Sequence, residues 1–312
     1  MYLVIMLLLR GIITLLTIIV FTVLVCIPLF SMAVIALVIP GQPGVHLRRW
    51  MEVWLFLWTG FNRWLFRVLG TTDMRIDWPG ADEVSADQWY LVISNHQSWT
   101  DILILQSVLW NRLPPIKFFT KAQLIWVPFI GIGMYVLGFP YLQRATKQQI
   151  AKNPELRNAD RQNIRKACNR FRFYPSTLLN FVEGTRFTAE KHARLHSSHR
   201  HLLNAKVGGL SYVIAEMGDT LHRLIDITIA YPGEAPTFWE FLRGKCAHVD
   251  VRIDALEIPA RITGQSDERE QRRLLAAWID ERWRIKDQRL HDHRSPPVSQ
   301  VASSARDTAL QT

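Results

Sequence analysis

Cysteine is scarce in this chain of 312 residues, and the three cysteines present form no recognisable pattern. Cys26, Cys168 and Cys246 have no C-x-x-C spacing and no paired framework, which predicts a reduced, intracellular catalytic part. The chain also contains no G-x-S-x-G sequence, the turn that exposes a serine nucleophile in α/β hydrolases. No enzyme nucleophile is therefore apparent.

Charge is missing from the amino-terminal part. No residue of Gly11–Pro40 is charged, and only Arg10 interrupts the apolar run that precedes it. About 20 such residues span a bilayer, and this stretch is too long for the apolar core of a cleaved signal peptide. We predict an uncleaved membrane anchor over residues 1–44. A break at Pro28 would decide between a single crossing and a hairpin.

Positive charge is in excess, with a formal net charge of +10, so the protein is attracted to anionic surfaces such as phospholipid, nucleic acid or a phosphorylated substrate. Residues 45–70 mix tryptophan and arginine, which is typical of a helix at the level of lipid headgroups. The alternative is a second transmembrane helix. The basic flank predicts that the following domain is cytoplasmic. The residues concerned are Trp50, Trp54, Trp58, Trp64, Arg48, Arg49, Arg63 and Arg67.

Residues 71–262 have the pattern of a mixed domain. Short runs rich in β-branched or aromatic residues predict strands, and helical patterns alternate with them. This alternation predicts an α/β fold, a mixed sheet with helices packed over it, in which reactive groups collect at strand ends. The predicted strands are Trp89–Ile93, Ser176–Val182, Ile225–Ala230 and Val249–Ile253, and the predicted helices are Ile102–Trp110, Asp160–Phe173 and Leu210–Met217.

The carboxyl-terminal part is charged and then polar. Residues 263–290 predict a charged helix with Ser266 as its cap and an apolar stripe along one face. Residues 291–312 are rich in Ser, Pro, Gln and Ala and have little to bury. We predict that they form a disordered tail.

One uncharged stretch inside the mixed domain, Ala122–Leu142, is long enough to span a bilayer. Prolines and glycines interrupt it at short intervals, which favours a bent, buried or membrane-dipping surface suited to a fatty acyl chain. The alternative is a second transmembrane span. The interrupting residues are Pro128, Gly131, Gly133, Gly138 and Pro140.

The sequence SNHQSWTD, Ser94–Asp101, lies where a buried strand gives way to a helix. An imidazole at such a position, His96, can be held by a carboxylate one turn along the helix, Asp101, with its other nitrogen facing a cleft. The alternative is a capping box, in which Ser98 caps the helix and Asp101 reaches back to a free amide.

A second polar group, FVEGTRF at Phe181–Phe187, ends another apolar strand. Gly184 allows close approach of the backbone to a ligand, and Arg186 can bind a phosphate with two nitrogens. The alternative is a turn with a surface ion pair between Glu183 and Arg186.

Together the two groups resemble the first and third motif blocks of the glycerophospholipid acyltransferases, the lysophosphatidate acyltransferase family. Gly138–Arg144 is similar to the second block, and Phe118–Gly131 resembles the lysine-bearing segment before it. Ile227–Pro232, ITIAYP, departs from the fourth block, where the family has a proline between small apolar residues. The anchored layout is most similar to the YihG-type subgroup of bacterial probable acyltransferases.

The resemblance implies a role for each matching residue. His96 would be the general base that deprotonates an acceptor hydroxyl, and Asp101 would orient the ring and stabilise the imidazolium. An oxyanion would form when the hydroxyl attacks a thioester, and the candidate donors to it are Lys121 and a backbone amide near Gly131. The residues assigned to the acceptor phosphate are Arg144, Glu183, Gly184, Thr185 and Arg186.

The implied activity is that of a membrane-bound O-acyltransferase acting without a cofactor or metal. It would move a fatty acyl group from acyl-CoA or acyl carrier protein to a lysophospholipid, with lysophosphatidate as the leading acceptor. The implied location is the bacterial cytoplasmic (inner) membrane with the catalytic domain on the cytoplasmic side, and nucleic acid is not an expected partner. The alternatives are a lipid hydrolase in which His96 activates water, and a protein that only binds anionic lipid.

A histidine-rich stretch, Lys191–Lys206, offers a further alternative. His192 and His196 have a helical spacing that can hold a metal, with His199 and His201 nearby. The stretch contains no Cys, Asp or Glu, so we predict a basic loop that faces lipid headgroups.

Overall fold

The computed structural model describes residues 2–39, 41–143, 147–153 and 155–294. Its amino-terminal part consists of two long helices, α1 (Tyr2–Val38) and α2 (Gly41–Val68), which pack against each other. α1 continues through Pro28 without a break. Among the described residues it is the one helix long and apolar enough to cross a membrane.

A six-stranded sheet follows, in the order β1-β8-β7-β2-β6-β3. Only β7 and β8 are antiparallel, so the predicted α/β fold with a mixed sheet is confirmed. All four predicted strands are present. Three of the unpredicted strands have only two or three residues, too few for a pattern, and the fourth, Asp73–Asp77, is largely exposed and contains three charged residues. The strands are β1 (Asp73–Asp77), β2 (Tyr90–Ser94), β3 (Ile116–Phe118), β4 (Thr120–Lys121), β5 (Tyr141–Leu142), β6 (Thr177–Phe181), β7 (Arg223–Ala230) and β8 (His248–Leu256); β4 and β5 pair separately.

Helices cover both faces of the six-stranded sheet. On one face α2, α3 and α9 pack on the apolar side chains of β2 and β7, and on the other α6, α8 and α11 form a second apolar cluster. α11 continues four residues past the predicted end at 290, and residues 295–312 of the predicted tail lie outside the described residues. The helices are α3 (Thr100–Leu109), α4 (Ile130–Val136), α5 (Lys147–Lys152), α6 (Leu156–Phe171), α7 (Ala189–Arg194), α8 (Gly208–Met217), α9 (Phe238–Leu242), α10 (Ala260–Thr263) and α11 (Glu268–Arg294).

The uncharged stretch at 122–142 is not a transmembrane helix. It forms a 3₁₀ turn (Ala122–Trp126), the short helix α4 and strand β5, because its prolines and glycines prevent one continuous helix. The bent surface that we predicted is therefore present. Trp126 is 85% exposed, and Ile132 and Tyr135 are also exposed, so the segment presents apolar side chains outward as well as inward.

A buried ion pair joins α2 to the sheet. The Nζ of Lys117, in β3, lies 2.8 Å from Oε1 of Glu52, and the two side chains are 1% and 13% exposed. The ammonium group also lies over the rings of Phe171 and Tyr174. α2 is thus packed on the domain along one face, while Trp50 on the other face is exposed.

Candidate active site

The site lies at the carboxyl ends of three neighbouring parallel strands, β2, β6 and β7. Asn95, directly after β2, exchanges two hydrogen bonds with the backbone of Ile229 in β7, at 2.9 Å and 2.8 Å. The backbone amide of His96 donates to Oε1 of Glu183, just after β6, at 2.8 Å. The polar residues that follow these strands are therefore brought together at one edge of the sheet, where α/β proteins place their reactive groups.

His96 is held from two sides. Its Nδ1 lies 2.9 Å from Oδ2 of Asp101, and its ring stacks on Phe181 with 3.9 Å between centroids. The carboxylate can only accept, so Nδ1 carries the proton and Nε2 presents a lone pair. Nε2 has no hydrogen-bond partner within the described part of the chain. This arrangement is that of a general base with an orienting carboxylate.

Asp101 is buried, and both of its oxygens accept hydrogen bonds. Oδ2 also accepts from the backbone amides of Gln97 (2.6 Å) and Ser98 (2.9 Å), and Oδ1 accepts from the hydroxyl of Tyr231 at 2.6 Å. Asp101 therefore does reach back to free amides, as in the capping-box alternative, while the same oxygen holds His96. The Asp101 carboxylate therefore fits both sequence interpretations, that it orients His96 and that it reaches back to amides at the helix start.

Tyr231 was not predicted from the sequence as a site residue. Burial and the Asp101 carboxylate raise the pKa of its hydroxyl well above its usual value, so the hydroxyl keeps the proton that it donates. The available signal was its position directly after β7, at the same sheet edge as His96, within the ITIAYP sequence that departs from the family pattern.

Glu183 is fully buried and does not bind a phosphate. Its two oxygens accept from the backbone amides of His96 and Leu203, each at 2.8 Å, and burial raises its pKa to about 8. The phosphate role predicted for this residue is corrected, because its carboxyl group faces backbone amides inside the protein. The alternative ion pair with Arg186 is likewise not formed. Glu183 fixes the loop that carries His96.

The rest of the EGTR sequence forms a cationic surface beside His96. Gly184 adopts the left-handed conformation, φ +71°, which favours glycine. The Thr185 hydroxyl accepts from Nζ of Lys191 at 3.0 Å, and Lys191 also donates to the Arg186 carbonyl. The exposed Arg186 guanidinium lies over the Trp99 ring, 5.1 Å from its centroid. Arg186 is thus free to bind an anion.

The backbone amide of Gly131 is not free to act as an oxyanion donor. It already donates to the Val127 carbonyl, just before α4, at 2.9 Å, so the donor role predicted for this amide is corrected. Lys121 is exposed in β4 and belongs to the cationic surface. The pKa of Lys191 is lowered by burial and by the positive charges of Arg186, Arg194 and Lys121. Arg144 lies outside the described residues.

An apolar cavity of about 460 Å³ opens on the other side of the site. It runs between α1, α2, α3 and α4, and Trp99 and Ile102 line it close to His96. Most of its lining residues are apolar, and Thr22 and Gln106 are the polar exceptions among the described lining residues. Trp99 therefore stands between the cavity and the Arg186 guanidinium.

The histidine-rich stretch is not arranged as a metal site. α7 ends at Arg194 and His196 has φ 48°, so His192 and His196 do not share a helical face. Nε2 of His192 is hydrogen-bonded to the His199 carbonyl. No group of three or more His, Cys, Asp or Glu side chains that could hold a metal occurs in the portion of the chain described by the structure.

Comparison with known proteins agrees with this geometry. Residues 75–220 match a protein-family model described as Acyltransferase. This part of the chain, slightly less than half of it, is similar to the acyltransferase family. The matched region contains His96, Asp101 and the EGTR sequence, and β7, which carries Tyr231 at its end, lies just beyond it.

Similar proteins occur among curated proteins. Lysocardiolipin acyltransferase 1 of Danio rerio is 29% identical over 64% of this chain and 51% of its own length. 1-Acyl-sn-glycerol-3-phosphate acyltransferase epsilon of Mus musculus is 23% identical over 66% of this chain and 58% of its own length. The chain thus spans just over half the length of these two relatives.

The fold has a counterpart among solved structures. The 1-acyl-sn-glycerophosphate (LPA) acyltransferase PlsC from Thermotoga maritima aligns with a TM-score of 0.52 at 15% identity, over 92% of this chain and 99% of that one. At this identity the likeness concerns the fold alone.

Proposed function

We propose that the protein transfers a fatty acyl group from a thioester to the free hydroxyl of a lysophospholipid, with 1-acyl-glycerol-3-phosphate as acceptor and phosphatidate as product. The observation that carries the proposal is that His96, whose Nε2 is free of hydrogen bonds to the described residues, lies in the same loop as Trp99, which stands between an apolar cavity and the Arg186 guanidinium. A lysophosphatidate has an acyl chain and a phosphate separated by a short glycerol backbone, so it suits Trp99 with the cavity on one side and Arg186 on the other.

The reaction needs one base. Nε2 of His96 takes the proton of the acceptor hydroxyl as its oxygen attacks the thioester carbonyl. The carbon–sulfur bond then breaks, and the imidazolium returns the proton to the departing thiolate. Asp101 stabilises the imidazolium through Nδ1, and its bond from Tyr231 fixes the carboxylate in place. The donor is acyl-CoA or acyl carrier protein, both of which present a thioester on a pantetheine arm.

The proposal places the protein on a membrane. α1 is long enough to cross one, and the exposed Trp126, Ile132 and Tyr135 extend the apolar surface to the mouth of the cavity. The resemblance to the YihG-type subgroup supports a bacterial cytoplasmic membrane, with the acyltransferase domain on the cytoplasmic side. An acceptor could then enter the site without leaving the lipid phase.

The test is the identity of the product. Detergent-solubilised protein is given lysophosphatidate and a donor labelled in the acyl group, either acyl-CoA or acyl carrier protein. Labelled phosphatidate is expected. Labelled free fatty acid at the same rate with and without lysophosphatidate would favour the hydrolase, and no turnover with either donor would favour a protein that only binds anionic lipid.

Arg186→Ala is expected to raise the KM for lysophosphatidate roughly 10-fold to 100-fold with a smaller change in kcat, because it removes a charge-assisted contact to the acceptor phosphate. Steady-state kinetics with varied acceptor measure this. Arg75→Ala, at an exposed position on β1, is the matched control. An equal fall of kcat in both variants, with KM unchanged, would rule out phosphate binding by Arg186.

Gly133→Leu is expected to shorten the preferred acyl chain. Gly133 lines the cavity, and a Cβ there would lie 3.7 Å from Cys26 and Leu29 of α1, so a larger side chain enters the space. Each methylene excluded costs about 0.8 kcal/mol, so kcat/KM for long acyl groups relative to short ones should fall about tenfold or more. Ile132→Leu, one residue away and facing outward, should leave the ratio unchanged. An unchanged ratio in Gly133→Leu would mean that the acyl chain lies elsewhere.

A further inference from the structure

A second cavity, of about 870 Å³, lies on the opposite face of the sheet from the apolar one. It is bounded by the end of β6, the start of α8 and the first turns of α11. The adjacent residues Phe118 and Phe119 line the apolar cavity and this one, respectively. We call it the α8–α11 pocket.

The α8–α11 pocket is lined by cations that have no acidic partner. Lys206, Arg269 and Arg272 are exposed side chains without an ion pair to any residue that the structure describes. Arg273 also lines it but is bound by Glu270 through two hydrogen bonds, 2.7 Å and 2.6 Å. No Asp or Glu is among the described lining residues. Such a concentration of uncompensated positive charge attracts an anion of more than one charge.

Uncharged donors face the same space. Asn180 is only 8% exposed, lines the pocket, and its side-chain amide forms no hydrogen bond with the described residues. A Cβ at Gly209 would lie 3.3 Å from its Nδ2, so glycine at this position keeps the amide accessible. α8 begins at Gly208 without a side-chain cap, which leaves backbone amides available at its amino terminus. The Asn180 amide is therefore free to donate a hydrogen bond to an anionic ligand in the pocket.

The α8–α11 pocket adjoins the reacting atoms. Phe181 lines the pocket and stacks on the His96 ring, and Gly184, in the EGTR sequence, lines the pocket next to Lys206. A ligand in this pocket is therefore separated from the His96 ring by the side chain of Phe181.

The proposed reaction assigns a different ligand to each of two cationic sites, the surface that contains Arg186 and the α8–α11 pocket. The acceptor phosphate lies close to its own acyl chain, which fits Arg186 beside Trp99 and the apolar cavity. Coenzyme A carries its phosphates on a nucleotide at the far end of a long polar arm, which needs a separate and roomy cationic site. The α8–α11 pocket has that size, charge and position.

We propose that the α8–α11 pocket binds the phosphorylated nucleotide of the acyl donor coenzyme A, through Lys206, Arg269, Arg272 and the Asn180 amide. The inference rests on the proposed function for the identity of the ligand. It makes acyl-CoA the donor, because a carrier protein has only the phosphopantetheine phosphate and no nucleotide to fill the pocket.

The test combines binding and kinetics on the full-length protein in detergent. Free coenzyme A is titrated into wild type and into a variant with Lys206→Ala and Arg272→Ala, and its Kd is measured by calorimetry whether or not transfer occurs. The KM is then compared for acyl-CoA and for acyl-pantetheine, which has the thioester arm without the nucleotide. Arg284→Ala, on an exposed part of α11 outside the pocket, is the control.

The double variant should weaken coenzyme A binding and raise the KM for acyl-CoA roughly tenfold or more, while the KM for acyl-pantetheine and for lysophosphatidate stays the same. An unchanged Kd for coenzyme A, or an equal rise in the KM for acyl-CoA and for acyl-pantetheine, would overturn the pocket assignment. So would a wild-type preference for acyl carrier protein over acyl-CoA if the double variant used both donors equally less well. Coenzyme A binding that depends on these residues in a protein without transfer activity would uphold the pocket and reject the proposed function.

Discussion

His96→Ala is expected to lower kcat for acyl transfer about 10³-fold, since general base catalysis contributes typically 10²-fold to 10⁴-fold. Without Nε2 no group at the site removes the proton of the acceptor hydroxyl, because Asp101 is occupied by Gln97, Ser98 and Tyr231. The KM for lysophosphatidate should change little, since Arg186 and Trp99 remain. Single-turnover and steady-state rates with labelled acyl-CoA measure the loss.

The matched control for this prediction is His222→Ala. His222 is exposed and precedes β7, at the opposite edge of the sheet from His96, so its removal tests the loss of a histidine without loss of the base. Circular dichroism and vesicle binding should be unchanged in both variants. A His96→Ala enzyme that retains more than about a tenth of wild-type kcat would remove the general-base role.

Glu52→Ala is expected to lower the free energy of unfolding by about 3–5 kcal/mol, the usual cost of leaving a buried charge without its partner. Burial lowers the pKa of Lys117, and Glu52 is the group that favours its charged form. Without Glu52 the ammonium group is enclosed by Phe171 and Tyr174 alone. Urea unfolding in detergent, followed by tryptophan fluorescence, measures the change.

Two further variants separate the buried pair from a general effect of substitution. The double variant Glu52→Leu with Lys117→Met should recover most of the stability, because well-packed apolar residues can replace a buried ion pair. Asp280→Ala, which breaks an exposed pair with Arg284 on α11, should cost less than about 1 kcal/mol. If Glu52→Ala and Asp280→Ala are equally stable, the ion pair does not hold α2 to the sheet.

Much of the fold follows from local pattern. The strands β2, β6, β7 and β8 and the helices α3, α6 and α8 have strong apolar patterns, and the structure places each within a few residues of its predicted range. The short strands and the split of 122–142 into three elements depend on tertiary contacts, which the local sequence does not encode. The Lys117–Glu52 ion pair also depends on tertiary contacts, because a lysine is usually exposed and only the packing of α2 on the sheet buries this one.

The sequence predicts the site residues that are close together along the chain, and it does not predict contacts between residues that are far apart along the chain. His96 and Asp101 are five residues apart, so the sequence alone brings them together. Tyr231 reaches Asp101 only because β7 lies beside β2, and Glu183 turns inward only because Leu203 supplies a second amide. The sequence predicts a free amide at Gly131, but this amide is already bonded to the Val127 carbonyl. Side-chain direction and backbone hydrogen bonding decide these cases, and neither can be obtained from spacing.

The apolar cavity has walls of two different origins. Cys26 and Leu29 belong to the long apolar helix α1, whereas Trp99 and Ile102 belong to the domain that contains the six-stranded sheet. Removing residues 1–68 to obtain a more soluble protein would therefore remove eight of the 21 described residues that line the cavity, even if His96 stayed in place. Under the proposed function, one pair of helices, α1 and α2, both attaches the protein to the bilayer and selects among fatty acids.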